Sequence, residues 1–466
     1  MTEMIVATNS DYELTMTGLK RIFGTLIGIA IVVTLLGACS ETALPQATGK
    51  GRIDAINAMS SSPRLTFLIE ERGLGTLPYK GTLGAQQFDD LSYNFNFEYL
   101  QIGEANPTRF ATQFIDMMVN TDYTLVITGD ITAPLVTQWE RPTRDWDDAD
   151  TVFEVAFAHL SPALGDVDVY LAPTGTPPVL GEERAKVSNG DHVAEVDLES
   201  EEVEITITAR DDPATVLFQS APITLSARLS YTVTIFDADP SITGSISVRV
   251  IADQGLSIEM ADVNFMPTLR TIHAAFGTVN VNVFRDGDLT TPIVSDLGFG
   301  EITGDLPVPA GSVLYTYIDV DNAGVIVEEQ LQTVLGGARV SAVLVGLLGT
   351  DLTVLVMNDD RRPVDTQGRM RLIHAAANLD IVDMYLVEVG TDIADSPPLL
   401  RNLNFGFFTD FGPTILGNYE IYITVPGEKT VLAGPVLLDI ADRDVVETLI
   451  LDTVDPMVGD IVITRF

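Results

Sequence analysis

The sequence repeats itself at the spacing of whole domains. The block Arg369 to Leu386 starts as an apolar strand with His374 near its end. It then passes through a small-residue loop and resumes as an alternating strand through Asp383 and Tyr385. Earlier versions run from Phe153 through His159 to Tyr170, and from Leu269 through His273 to Phe284. A weaker one, Arg52 to Ser60, carries Asn57 where the others carry histidine. The copies stand roughly one hundred residues apart, the size of a small domain and too long for a solenoid repeat. A chain of 466 residues therefore reads as about four modules in a row.

The modules are set at 51–142, a divergent copy, then 151–258, 268–363 and 369–466. Short β-branched runs bounded by Gly, Pro and Asp dominate each of them, and no long amphipathic helix pattern occurs. Glu202 to Thr208 alternates cleanly, with Val203, Ile205 and Ile207 on one face. Tyr93, Phe95, Phe97 and Tyr99 likewise share a face, as a sandwich core requires, although an aromatic row can also stack sugars. Several such strands per hundred residues predict an all-β fold of tandem immunoglobulin-like antiparallel β-sandwich modules.

Charge excludes one class of partner. With 26 Lys and Arg against 66 Asp and Glu, the net charge is −40. Such a surface repels phosphate backbones, so nucleic acid is not expected as a partner.

The first forty residues read as an export signal. Lys20 and Arg21 precede the apolar run Ile22 to Leu36, too short to span a bilayer, and small residues follow. The segment resembles a bacterial lipoprotein signal, residues 1–38, with Leu36-Gly37-Ala38-Cys39 as its lipobox. Cys39 is the chain's single cysteine, so lipidation there would leave no thiol for a disulfide. The resemblance implies a membrane partner reached through a lipid anchor, with Ser40 pointing to the outer membrane, and a tether over 39–50. Acidic Glu3, Asp11 and Glu13 do not suit an n-region, which puts the expected start at Met16.

The strand-histidine start, the Asp-x-Tyr strands at Asp168–Tyr170 and Asp383–Tyr385, the Gly298-Phe-Gly300 turn and the Val308-Pro-Ala-Gly311 turn together resemble the bacterial envelope family catalogued as domain of unknown function 4397. The resemblance implies secreted or lipid-anchored tandem β-domains and carries no established activity.

Candidate chemistry is sparse. His159, His273 and His374 occupy equivalent places but offer one ligand per module, and a metal ion needs several, so a structural role at a strand end is expected. His192 reads as a surface residue. Ser161, Asp166 and Asp168 accompany His159 and form the one constellation from which an envelope hydrolase could be built. Asp145, Asp147, Asp148 and Asp150 lie between two modules, where carboxylates can hold a structural calcium; similar acidic pairs are Asp237 with Asp239 and Asp359 with Asp360. Asp319 to Gly324 begins like a calcium loop but has Gln330 where the bidentate Glu belongs. Gly298, Gly300 and Gly304 lack the helix a phosphate loop needs and read as a turn. No cofactor is called for beyond that calcium. The expectation is a non-enzymatic array for binding, adhesion or spacing, meeting an unidentified envelope protein or glycan.

Overall fold

A computed structural model describes residues 45–239, 242–321, 325–349 and 352–466. The signal segment, Cys39 and the proposed start at Met16 lie outside the described residues, as does the first half of the tether, 39–44. From Gly49 to Phe466 the chain forms one compact unit.

Within that unit four β-sandwiches follow one another, spanning 50–142, 152–260, 268–358 and 368–465. Each has two sheets. The eight strands of the first sandwich are Lys50–Asn57, Leu65–Ile69, Arg72–Leu77, Gln86–Asp89, Ser92–Tyr99, Thr108–Asp116, Thr121–Asp130 and Ala133–Pro142; one sheet orders them fourth, first, seventh, eighth, and the other third, second, fifth, sixth. The third and fourth sandwiches repeat this order, and the second repeats it with the extra short strands Ile223–Thr224 and Ser257–Met260.

The expected all-antiparallel pairing needs correction at one place per sandwich. The first strand lies parallel to the seventh: Ile53 beside Tyr123, Val155 beside Tyr231, Leu269 beside Val340 and Met370 beside Val446. The chain leaves the first strand for the opposite sheet, lays the fourth strand along one edge of the first, crosses again, and returns to its other edge running the same way. That return is the long crossover which a parallel pair requires.

Every sandwich has its own hydrophobic interior. In the first, Phe67 packs against Phe95 and Phe97 at ring-centroid distances of 5.7 and 5.1 Å. Phe95 and Phe97 are fully buried, so the centre of the aromatic row fills a core. Val155, Val169, Ile205 and Ile235 do the same in the second, Val283 and Tyr317 in the third, and Val382 and Ile421 in the fourth.

The sandwiches are also joined face to face. Outward-pointing residues of the first and seventh strands are apolar as well, and they pair the modules in two seams. Ile56, Val126 and Trp139 meet Ala158, Leu160, Phe236 and Ile251 between the first and second sandwiches. Ile272, Ala274, Val343 and Val345 meet Ile373, Ala375, Leu449 and Leu451 between the third and fourth. This explains why the strand Gly368–His374 is buried at every position: a strand covered on both faces loses its alternation.

Contacts also link the first sandwich to the linker ahead of the fourth. Ser61 donates to Asp365 at 2.5 Å, Asp365 N–H donates to the Ser61 carbonyl at 2.7 Å, and Arg362 donates to the carbonyls of Ser60 and Ser62 at 3.0 and 2.9 Å. Between the second and third sandwiches, Ile242 bridges to Ala338.

Candidate binding cleft

The repeated histidines are loop clamps. His159 Nδ1 accepts the N–H of Ser161 at 3.2 Å, and its Nε2 lies 3.0 Å from the Gly165 carbonyl. His273 repeats the pair with Ala275 N–H at 3.3 Å and the Val279 carbonyl at 3.2 Å. An imidazole protonated on Nε2 satisfies both contacts, tying the strand end to the loop six residues on. His374 faces the Asp380 backbone in the same way, although neither ring nitrogen closes a hydrogen bond. Asn57 performs the task with an amide: its Oδ1 accepts Met59 N–H at 3.1 Å and its Nδ2 donates to Ser62 and to the Leu77 carbonyl.

The hydrolase constellation is not assembled. Ser161 donates its hydroxyl to Asp237 at 2.6 Å, and not to His159, whose ring nitrogens already face backbone groups. Asp168 is buried, accepts Asp211 N–H at 2.8 Å and pairs with Arg210 at 3.2 Å. Asp383 does equivalent work for Asn402 and Gly427. Asp166 is exposed.

The calcium candidates are not gathered into a site either. Asp150 accepts Asp147 N–H at 2.8 Å within a turn, Asp147 accepts Ala149 N–H at 3.2 Å, and Asp148 pairs with Arg228 at 2.9 Å. Asp145 stands with them without converging on a common point, and among the described residues no three such side chains do so. Their side chains cap local turns, which is what scattered junction carboxylates do when surrounded by water. Asp319 accepts Asp321 N–H, and residues 322–324 of that loop lie outside the described residues. Gly298 and Glu301 close a turn with Gly300 at φ 79°.

His192, expected on the surface, is mostly buried in the first seam. Its ring stacks on Trp139 of the neighbouring sandwich at 4.4 Å, and burial pushes its pKa down to about 4. Beside it, burial raises the Asp54 carboxyl to about 7.

What the structure does bring together is a cleft of about 400 Å³ at the junction of the modules. The first sandwich contributes Tyr79 and Lys80, the second Asp239, Arg249 and Glu259, the third Arg339 and Asn358, and the linker into the fourth contributes Asp359, Asp360 and Arg362. Lys80 is the keystone. Its ammonium lies 2.6 Å from Glu259, 3.2 Å from Asp239 and 3.0 Å from the Ser247 hydroxyl, all in the second sandwich. Burial alone would raise the Glu259 pKa, but Lys80 and then Ser247 and Arg249 hold it below the ordinary value. Burial, reinforced by Asp239 and Asp237, pushes the Tyr79 phenol up.

Lys80 sits at φ 59°, a conformation that suits glycine. Its N–H donates to the Asn57 carbonyl as Gly190, Gly300 and Gly406 do to the three histidine carbonyls. At those equivalent turns the glycines have φ 92°, 79° and 80°. The first sandwich therefore tolerates a strained lysine where its siblings use glycine, and uses the side chain to hold its neighbour. Aligning the repeats by their turns would have singled out Lys80 in the sequence.

Behind the cleft, the second seam continues as charge. Arg371, entirely buried, donates to Glu447, to the Asn358 carbonyl at 3.1 Å and to Asp359 at 3.0 Å. Arg270 reaches the same Glu447 oxygen at 2.6 Å and Ser341 at 2.9 Å. Arg361 binds Asp359 and stacks over the Phe466 ring at 4.1 Å, opposite Arg270 at 4.8 Å. Burial opposes the Asp359 charge, yet Arg361, Arg270 and Arg371 keep its pKa below the usual carboxylate range. A net-acidic chain thus spends its scarce cations inside its seams.

No curated protein matches the chain. A family profile does: residues 267–385, covering the third sandwich and the start of the fourth, match the family described as Domain of unknown function (DUF4397).

Proposed function

We propose that this chain is a non-enzymatic binding protein of the bacterial cell envelope, tethered to the membrane through lipid on Cys39. In this reading the cleft between the sandwiches receives a polar group of an envelope protein or glycan. The observation that carries it is the preorganisation of the cleft: ion pairs from Lys80 fix two of its walls, and Arg362 ties a third to Ser60 and Ser62. Walls fixed before a ligand arrives spare it the ordering cost of binding. Arg339 lines the same cleft, and its guanidinium suits an acceptor group of a ligand. The hydrogen bonds from the first sandwich to the linker ahead of the fourth favour a binding body over an extended spacer.

Two measurements test this. Cys39→Ser should move the protein from the membrane fraction to the soluble fraction; retention at the membrane would remove the anchor. A photo-crosslinking residue at Asn358 should yield a discrete adduct on intact cells, and one at exposed Leu437 should not. Equal adducts at both positions, or none at Asn358, would remove the cleft as the binding site.

A further inference from the structure

The fourth sandwich has an apolar opening between its two sheets. Its two sheets part beside the strand Gly412–Thr414, leaving an apolar slot of about 360 Å³. Met370, Leu372, Leu386, Leu400, Ile415 and Tyr419 line it, and Ile102 reaches in from a loop of the first sandwich. That volume falls in the ~300–1,000 Å³ range of small-molecule sites.

The slot exists because one side chain is missing. Gly412 stands opposite Met370 in the register of the fourth sandwich. At the equivalent position of the third sandwich, Leu306 stands opposite Leu269, and in the second Val196 stands opposite Val155. Backbone geometry does not require glycine at 412, because its φ is not positive. A Cβ added there would meet only the Met370 carbonyl, at 4.0 Å. The residue that would plug the gap is absent without any conformational reason, and the gap is lined by aliphatic carbon. At the rim, Leu399 and Ile415 are about half exposed, at 51% and 48%.

The rim also selects a headgroup. Asp410 lines the mouth as an exposed carboxylate, and the Thr409 hydroxyl is already accepting the Leu372 N–H at 3.1 Å. On a chain of net charge −40, this mouth repels an anion.

We infer that this slot binds the aliphatic chain of a single-chain amphiphile whose headgroup is neutral or cationic. The site is independent of the cleft proposed above, and either could fail alone.

Calorimetric titration of the full chain with alkyl maltosides and alkyltrimethylammonium ions, below their micelle concentrations, tests it. Both series should bind at one site, with Kd tightening about threefold to fourfold per added methylene until the slot is full. Dodecanoate should bind at least tenfold more weakly than dodecyl maltoside. Gly412→Leu, which copies the third sandwich, should abolish binding while leaving the melting temperature unchanged or raised. Leu400→Gln gives an independent variant, expected to weaken binding at least tenfold. Undiminished binding in Gly412→Leu, or in Leu400→Gln should the first variant not fold, overturns the proposal. So does a Kd indifferent to chain length, or dodecanoate binding as tightly as the maltoside.

Discussion

The Lys80 ammonium lies 2.6 Å from Glu259 across the boundary between the first two sandwiches, on a backbone held at φ 59°. Local strain and tertiary attraction therefore oppose each other at one residue. Lys80→Gly relieves the strain, worth about 1–2 kcal/mol, but strands Asp239 and Glu259 near the cleft, costing about 3–5 kcal/mol for a buried pair broken on one side. The net expectation is a loss of roughly 1–4 kcal/mol by urea unfolding. Lys80→Ala, which keeps most of the strain, should lose more than the glycine variant; the reverse order would remove the strain from the account.

The second seam offers a stricter case. Arg371 is wholly buried against Glu447 and Asp359, so Arg371→Met removes one of the counter-charges that each carboxylate depends on. A loss of about 3–5 kcal/mol is expected. Arg371→Met combined with Glu447→Gln should recover part of it, measured as a double-mutant cycle in chemical denaturation. Strict additivity would mean the two residues do not act on each other.

Acid should loosen the protein through its buried imidazoles. Burial lowers the pKa of His374 to about 4, against an unfolded value near 6.5. The unfolded chain then binds the extra proton first, so stability is complete above about pH 6.5 and falls as pH drops towards 4. The full effect is about 3 kcal/mol for the single group. His374→Asn, the residue type that Asn57 uses, should flatten this pH dependence whatever it does to stability at pH 7. An unchanged slope between pH 6.5 and 4 would exclude His374 as its source.

Asp54 acts in the opposite direction. One of its oxygens is sealed without a partner, and burial raises its pKa to about 7. A folded-state value above the unfolded one near 3.9 favours folding at low pH and costs stability as pH rises through 7. Asp54→Asn should therefore stabilise the protein at pH 8 by about 1–3 kcal/mol and do little at pH 4. Thermal melts at the two pH values decide it, and equal shifts at both would refute the assignment.

Much of the fold was legible because its signals are local. Strand alternation such as Val203, Ile205 and Ile207 marks a sheet with one buried face, and the recurring histidine block marks where each copy begins. The parallel pairing was not legible, since strands Lys50–Asn57 and Thr121–Asp130 look alike whichever way they run together. His192 was misread because its polar surroundings in sequence say nothing of Trp139, which comes from another sandwich.

The sequence by itself determined that copies of one β-unit recur, that each has an apolar inner face, and that the histidine or Asn57 stands near the end of the first strand. Those properties depend on residues within a few positions of each other. Only the tertiary structure decided that outward faces also pair into seams, that Lys80 reaches Glu259, and that Arg371 finds Glu447. A buried charge is tolerable only beside its counter-charge, and here the partners lie 76 or more positions apart in the sequence. Lys80 and Glu259 meet only when the first two sandwiches dock, whereas Arg371 and Glu447 are brought together by parallel strand pairing inside the fourth sandwich.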